Sequence, residues 1–309
     1  MDSIDVVFAS DNNYAQHVAV AGASLLLNSE YPEKINIYIL NDTISSENCR
    51  RIEETITCLR GNVTFISVDT KQISAFVSGH LSKAAYLRLL IPSLLPENIT
   101  KAIYFDTDLV VLDDVQKLWE ISLQGKPLGA VCDYGIMASK RMVKQKFETL
   151  GLPEGDTYFN SGMLVMDLVQ WRSFEYDRKV VECILQNQFR HHDQDALNKV
   201  FLHNWYELPL RWNVIPPVFS LPLKVLLRHN MRSEAIKALK NPAVFHWAGR
   251  YKPWEFSLNK DFNMQYYQYF NSTSFSDNSM PKPSKDMTGK SVRRQAFRIK
   301  LAKLWGHIF

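Results

Sequence analysis

The chain has 309 residues, of which 46% are hydrophobic, 12% aromatic and 22% charged, the make-up of a globular protein with enough apolar mass for one large domain or two small ones. No uncharged apolar run reaches the ~18–20 residues a bilayer span needs. The formal net charge of +4 is unevenly spread: residues 290–309 carry six basic side chains and no acid, leaving 30 basic against 32 acidic groups before them, so the body lacks the basic face of a nucleic-acid-binding domain.

The N-terminus, MDSIDVVFAS, bears acids instead of a basic n-region, and the expected location is the cytoplasm. Ile4–Ala9 reads as a buried strand and Ala15–Asn28 as a helix rich in Ala, Val and Leu. Ile35–Leu40 is a second strand, Ser45 or Ser46 can cap a helix running to about Leu59, and Val63–Val68 is a third strand. A helix near Ala84–Leu90 leads into a strand at 102–106; further strands are expected at Leu128–Cys132 and Gly162–Asp167, with helices near Lys140–Leu150 and Tyr176–Gln188. Strands alternating with helices imply an α/β fold with a mostly parallel sheet. After about residue 200 the prolines and aromatics read as loop-rich structure closing over that sheet. The four cysteines (Cys49, Cys58, Cys132, Cys183) have neither zinc nor disulfide spacing.

Three regions follow: a domain over 1–270, a Ser/Asn/Pro-rich linker over 271–289, and a basic tail over 290–309. On a helical wheel Phe297, Leu301, Leu304, Trp305 and Ile308 share one face of that tail, while Arg293, Lys300 and Lys303 lie away from it. Such a helix suits an anionic membrane surface; a helix packed on the domain itself is the alternative.

AIYFDTDLVVL (102–112) poses the chemical question. Along an extended chain Asp106 and Asp108 point to the same side, and two carboxylates so placed repel unless a cation joins them. They are hard oxygen ligands suited to Mg²⁺, Mn²⁺ or Ca²⁺. They also fall beyond the carboxyl end of a strand, where open α/β sheets bind ligands. Eighteen aspartates produce roughly one Asp-x-Asp by chance, and a second stands at Asp193-Gln194-Asp195; the apolar strand around the first is what distinguishes it. No GxG, GxxxxGK[ST], HExxH or GxSxG occurs.

FASDNNY (8–14), AAYLRLLIP (84–92), YFDTDLVV (104–111), FNSGMLVMDLVQWR (159–172), HDQDALN (192–198) and FHWAGRYKPW (245–254) together resemble glycosyltransferase family eight, especially its bacterial lipopolysaccharide galactosyl- and glucosyltransferases. The tail also resembles membrane-associating tails in that group. The resemblance implies a GT-A fold and transfer of a hexose, with retention, from UDP-galactose or UDP-glucose to a hydroxyl of a cell-surface or lipid-linked glycan. The setting it implies is the inner membrane face, with peripheral attachment.

It also implies roles. Asp106, Asp108 and His246 would hold Mn²⁺, with Mg²⁺ the alternative; Asp11 would read the uracil, with Asn13 and Tyr14 near the nucleoside. Gly249 and Lys252 would meet the diphosphate, and Arg88, Asp133, Asn160, Asp193 and Gln194 would surround the donor sugar. Gln194, Asp193 and Lys252 would be the catalytic groups, Gln194 as electrostatic support for front-face attack because a primary amide is a poor nucleophile. Alternatives are a protein-directed transferase of the same fold and a catalytically weak, metal-dependent nucleotide- or glycan-binding module.

Overall fold

The computed structural model describes residues 3–68, 86–187, 189, 191–220, 229–256 and 260–277, together with 293 and 297. All seven side chains of IDVVFAS are buried, and a strand covered on both faces belongs in the middle of a sheet. This strand, β1 (Ile4–Ser10), pairs in parallel with β2 (Ile35–Asn41) on one side and β4 (Lys101–Phe105) on the other. β3 (Asn62–Ser67) forms the edge beyond β2, again parallel. Past β4 the direction changes: β7 (Phe159–Asp167) is antiparallel to β4, β6 (Leu128–Cys132) is antiparallel to β7, and β8 (Tyr206–Glu207) is parallel to β6. The order is β3-β2-β1-β4-β7-β6-β8. This is the GT-A arrangement, a mixed, mostly parallel sheet with helices on both faces.

Period-two alternation divides the core. Val6 and Phe8 join the cluster under α1 (Ala15–Leu27), whereas Val7 and Ala9 join the one that holds Trp171. Trp171 is fully buried and its indole N–H donates to Pro127 O at 2.9 Å. Eleven residues of α1 are buried, so it runs through the core. α2 (Ser46–Cys58) covers it with one narrow stripe, Ile52, Thr55 and Ile56, behind a Ser45 N-cap.

The helices Lys140–Leu150 and Tyr176–Gln186 match expectation closely. The stretch after residue 200 does not read as loops alone. Within the described residues it contains the helices His229–Lys240 and Lys260–Phe270 and the strand β9 (Val244–His246). The second helix buries Tyr266, Tyr267, Tyr269 and Phe270, so those aromatics mark a core helix. Residues 271–277, expected to begin a linker, pack instead on α2: Phe275 is 3% exposed, Arg51 donates to Ser274 O, and Ser274 N–H donates to Thr55 Oγ1. Residues 278–289, residues 84–85 of the expected helix and nearly all of the 290–309 tail lie outside the described residues.

Two features shape one end of the sheet. The strands β1, β4 and β6 end there, delivering Asp11, Asp106 and Asp133, while antiparallel β7 begins there, delivering Asn160. Between Ala130↔Leu164 and Val131↔Asn160 the register of β6 and β7 slips, leaving residues 161–163 as a bulge. A bulge frees backbone groups from the ladder and re-aims side chains.

Candidate functional site

A second, two-stranded sheet assembles the centre. β5 (Leu109–Val111) pairs antiparallel with β9, and its register sets Leu109 opposite His246. α1 and its C-cap residue anchor β5 on both sides of one residue: Val111 N–H donates to Ser24 Oγ at 2.9 Å, and Asn28 Nδ2 donates to Val111 O at 3.0 Å. Trp247 N–H then donates to Asp108 O at 2.9 Å, and Asp106 N–H to Gly162 O at 2.8 Å.

This scaffold brings His246 Nε2 to 3.2 Å from Asp108 Oδ1 and 3.8 Å from Asp106 Oδ2. One ligand atom from each residue lies within 4.8 Å of the other two, so two carboxylates and an imidazole converge as a divalent-cation donor set. The bulge makes room for it. A Cβ at Gly162 would stand 2.3 Å from His246 Cε1 and 2.7 Å from Asp106 Oδ2; only glycine permits that approach.

Lys252 Nζ contacts Asp108 Oδ2 and also donates to Trp247 O at 2.9 Å. Burial works against an ionised Asp108, but His246 and Lys252 outweigh it and hold its carboxyl well below the usual range. Asp106 is tied from the other side, accepting Tyr104 O–H at 2.6 Å and pairing with Arg88 Nη2 at 3.0 Å.

Arg88 is 7% exposed and spends its guanidinium on several partners: Asp106, Asp193 Oδ2 at 3.3 Å, and Ser161 O at 2.7 Å. Burial disfavours its charge, yet Asp106, Tyr104 and Asp193 reverse the balance and raise its pKa. Burial pushes the Asp193 carboxyl up, with Arg88 opposing.

Gln194, Asn160 and Asp133 form the adjoining wall. Gln194 Oε1 accepts Ser161 N–H at 3.1 Å and Asn160 Nδ2 at 3.3 Å; its Nε2 donates to Asp133 Oδ2 at 3.0 Å and to Tyr158 Oη at 3.2 Å. Asp133 Oδ1 caps the short helix Tyr134–Met137 through Ile136 N–H at 3.0 Å. Beneath the wall, Asp195 is 1% exposed and pairs with Lys146, Tyr158 O–H and His191 N–H. Burial opposes its charge, but these partners keep its carboxyl below the ordinary value. Asn198 clamps β7 by accepting Phe159 N–H at 2.8 Å and donating to Phe159 O at 2.9 Å.

Asp11 Oδ1 caps the turn Asn12–Tyr14, accepting Asn13 N–H at 2.9 Å and Tyr14 N–H at 3.1 Å; Asn13 is exposed. Tyr14 meets Trp254 edge-on at 6.0 Å, and Trp254 stacks on His17 at 3.5 Å, which joins this turn to the segment bearing Lys252. Gly249 has φ +89° with nothing within 4 Å of a would-be Cβ, so the backbone turn, not crowding, demands glycine.

Asp106, Asp108, His246, Lys252 and Arg88 thus form one cluster, with Asp193, Gln194, Asn160 and Asp133 beside it; the Asp11–Tyr14 turn joins the Lys252 segment through Trp254, and Gly249 lies in that segment between His246 and Lys252. Sequence reasoning missed Asn213, Ser161, Tyr104 and Tyr158. Asn213, 1% exposed, meets His246 Nδ1 at 2.9 Å and donates to Asn160 Oδ1 at 2.9 Å. Nothing in LRWNV marks it, because its partners are distant in the chain; FNSG, by contrast, already flagged the strand that holds Ser161.

Known proteins bear on this geometry. The chain is 32% identical over 276 residues to general stress protein A of Bacillus subtilis (strain 168), covering 87% of this chain and 94% of that one. It is 25% identical over 257 residues to the lipopolysaccharide 1,2-glucosyltransferase of Escherichia coli (strain K12), covering 82% and 73%. In fold it is similar to the crystal structure of the galactosyltransferase LgtC in complex with donor and acceptor sugar analogs: TM-score 0.75, 24% identity, 94% of this chain and 100% of that one. The model of the family described as "Glycosyl transferase family 8" matches residues 5–258, a span that takes in every candidate site residue from Asp11 to Lys252, and the chain belongs to that family.

Proposed function

We propose that this protein is a retaining transferase that moves galactose or glucose from a UDP-sugar to a hydroxyl of a cell-surface or lipid-linked saccharide, using Mn²⁺ held by Asp106, Asp108 and His246. The convergence of those three ligands beside Lys252 carries the reading. The names of the E. coli and LgtC relatives support the hexose and the saccharide acceptor, and an imidazole among the ligands favours Mn²⁺ over Ca²⁺ or Mg²⁺.

A bound ion would supply Lewis-acid stabilisation of the diphosphate. The protein's own groups do the rest. As the sugar–phosphate bond breaks, the Lys252 ammonium offsets charge developing on the leaving UDP. Arg88 keeps Asp106 and Asp193 from repelling each other. Asp133, Asn160, Asp193 and Gln194 surround the sugar and stabilise its oxocarbenium-like carbon, while Asp11, Asn13, Tyr14 and Gly249 hold the nucleoside and the pyrophosphate. Both Gln194 Oε1 and its amide nitrogen are engaged in hydrogen bonds, which favours a supporting role and attack by the acceptor hydroxyl on the face that UDP leaves. The amphipathic composition of 290–309 supports peripheral attachment to an anionic membrane from the cytoplasmic side; no helix among the described residues is long and apolar enough to cross one.

The test is UDP release from a panel of UDP-sugars without acceptor, in Mn²⁺ or EDTA. Slow hydrolysis of UDP-galactose or UDP-glucose is expected, lost on chelation and in Asp108→Asn. Undiminished turnover in that variant refutes the metal assignment.

A further inference from the structure

We infer that Asn213 is a positioning residue that fixes the tautomer of His246 and thereby couples the cation site to the donor-sugar wall; the functional part of the inference rests on the metal reading above. The argument starts from a backbone group that can only donate. Gly162 N–H, freed by the bulge in β7, meets the Asn160 side chain at 3.0 Å. That atom of Asn160 is therefore its oxygen, since which end of an amide is which follows from its partners.

The same oxygen faces Asn213 at 2.9 Å, so Asn213 presents its NH₂ there. Its other end, the carbonyl, then faces His246 Nδ1 at 2.9 Å. An acceptor there requires the proton on Nδ1. Nδ1 therefore holds a proton, and Nε2, the nitrogen turned toward Asp108 and Asp106, is the one left to serve a cation.

A second backbone donor agrees with the first. Ser161 N–H points at Gln194 Oε1 at 3.1 Å, so that atom is oxygen, and Asn160 Nδ2 donates to it at 3.3 Å. This is the orientation Gly162 already imposed. Two amides of one bulge thus set the proton directions across Gln194, Asn160, Asn213 and His246. All four side chains are at least partly buried, and Asn213 and His246 are 1% and 3% exposed, so water does not easily substitute for a missing partner. Outer partners of this kind typically change metal affinity by about 10–100-fold.

The decisive readout needs neither metal nor substrate. Long-range ¹H–¹⁵N spectra of histidine-labelled, metal-free protein distinguish Nδ1–H from Nε2–H imidazole, and the His246→Gln variant identifies the His246 signals. Wild-type His246 is expected to carry a proton on Nδ1. In Asn213→Leu, which has similar bulk and no polar atoms, the Nε2–H form should become dominant and Mn²⁺ affinity, read from the free-ion electron paramagnetic resonance signal, should fall about 10–100-fold. Asn213→Asp still accepts from Nδ1–H, so it should keep the tautomer and bind Mn²⁺ within a few-fold of wild type. It cannot donate to Asn160, and the KM for the donor should rise. A side chain that serves only packing would leave the tautomer unmoved.

A wild-type His246 whose Nδ1 bears no proton overturns the inference without any variant. A folded Asn213→Leu protein that retains Nδ1–H and wild-type Mn²⁺ affinity overturns it too, while leaving the metal reading intact. Wild-type protein that binds no Mn²⁺ removes both.

Discussion

Replacing Gly162 by alanine tests the centre with a single carbon. The new Cβ would lie 2.3 Å from His246 Cε1, 3.0 Å from His246 Nδ1 and 2.7 Å from Asp106 Oδ2. Ordinary carbon–carbon contact is about 3.5 Å or more, so imidazole and bulge must separate by roughly 1.2 Å. Neither is the free end of a flexible chain. His246 is held by β9 and Asn213, and Gly162 by its bond to Asp106 N–H. The overpacking should cost about 1–3 kcal/mol of stability. A displacement near 1 Å should weaken Mn²⁺ binding and slow UDP-sugar hydrolysis by about 100-fold. Free-ion resonance titration and thermal melts measure both effects. Gly151→Ala is the control: its φ is +68° with open space around the Cβ, at the end of the helix Lys140–Leu150, so it should lose about 1 kcal/mol and leave Mn²⁺ affinity unchanged. A Gly162→Ala protein with wild-type affinity would falsify the close-approach reasoning.

Burial against Tyr266 and Trp254 pushes His17 down to about 3. Between that value and the ~6.5 of an unfolded histidine the unfolded chain binds the extra proton. Stability is therefore whole above pH ~6.5 and declines as pH falls toward 3, at up to about 1.4 kcal/mol per pH unit; urea midpoints from pH 7 to 4 should slope less in His17→Phe, and parallel slopes would refute this. Lys146→Met leaves the Asp195 carboxylate buried beside a thioether, and about 3–5 kcal/mol of stability should vanish, visible as a depressed melting temperature that Asp195→Asn partly restores. Deleting residues 290–309 should abolish co-sedimentation with anionic vesicles and leave hydrolysis of soluble donor intact; retained vesicle binding removes the tail from the account.

Elements whose signal is local were legible in the sequence. IDVVFA, INIYIL and LGAVC are apolar runs of strand length, and the observed β1, β2 and β6 agree with them to within a residue. Ser45 was readable as a cap because a hydroxyl before an amphipathic run has few other uses. β7 begins at Phe159, earlier than the expected Gly162, because FNS is polar in sequence but committed to buried partners in space. The short strands β5 and β9 were not legible as a pair, since nothing local in LVV or VFH announces a partner across the chain. The same reason hid Asn213. Asp106 and Asp108 stood out because charge inside an apolar strand is costly wherever it occurs, whereas a buried amide conceals its purpose until its neighbours are known.

The union of β5 with β9 also bears on when the protein becomes competent. Asp108 leaves the ribosome long before His246, and the loop between them must close before three ligands can meet. Cation capture is therefore a late event of synthesis, reserved for chains whose final third has docked. A prematurely terminated product would carry the aspartate doublet yet lack the grip, and so could neither hold a divalent cation nor squander nucleotide sugar.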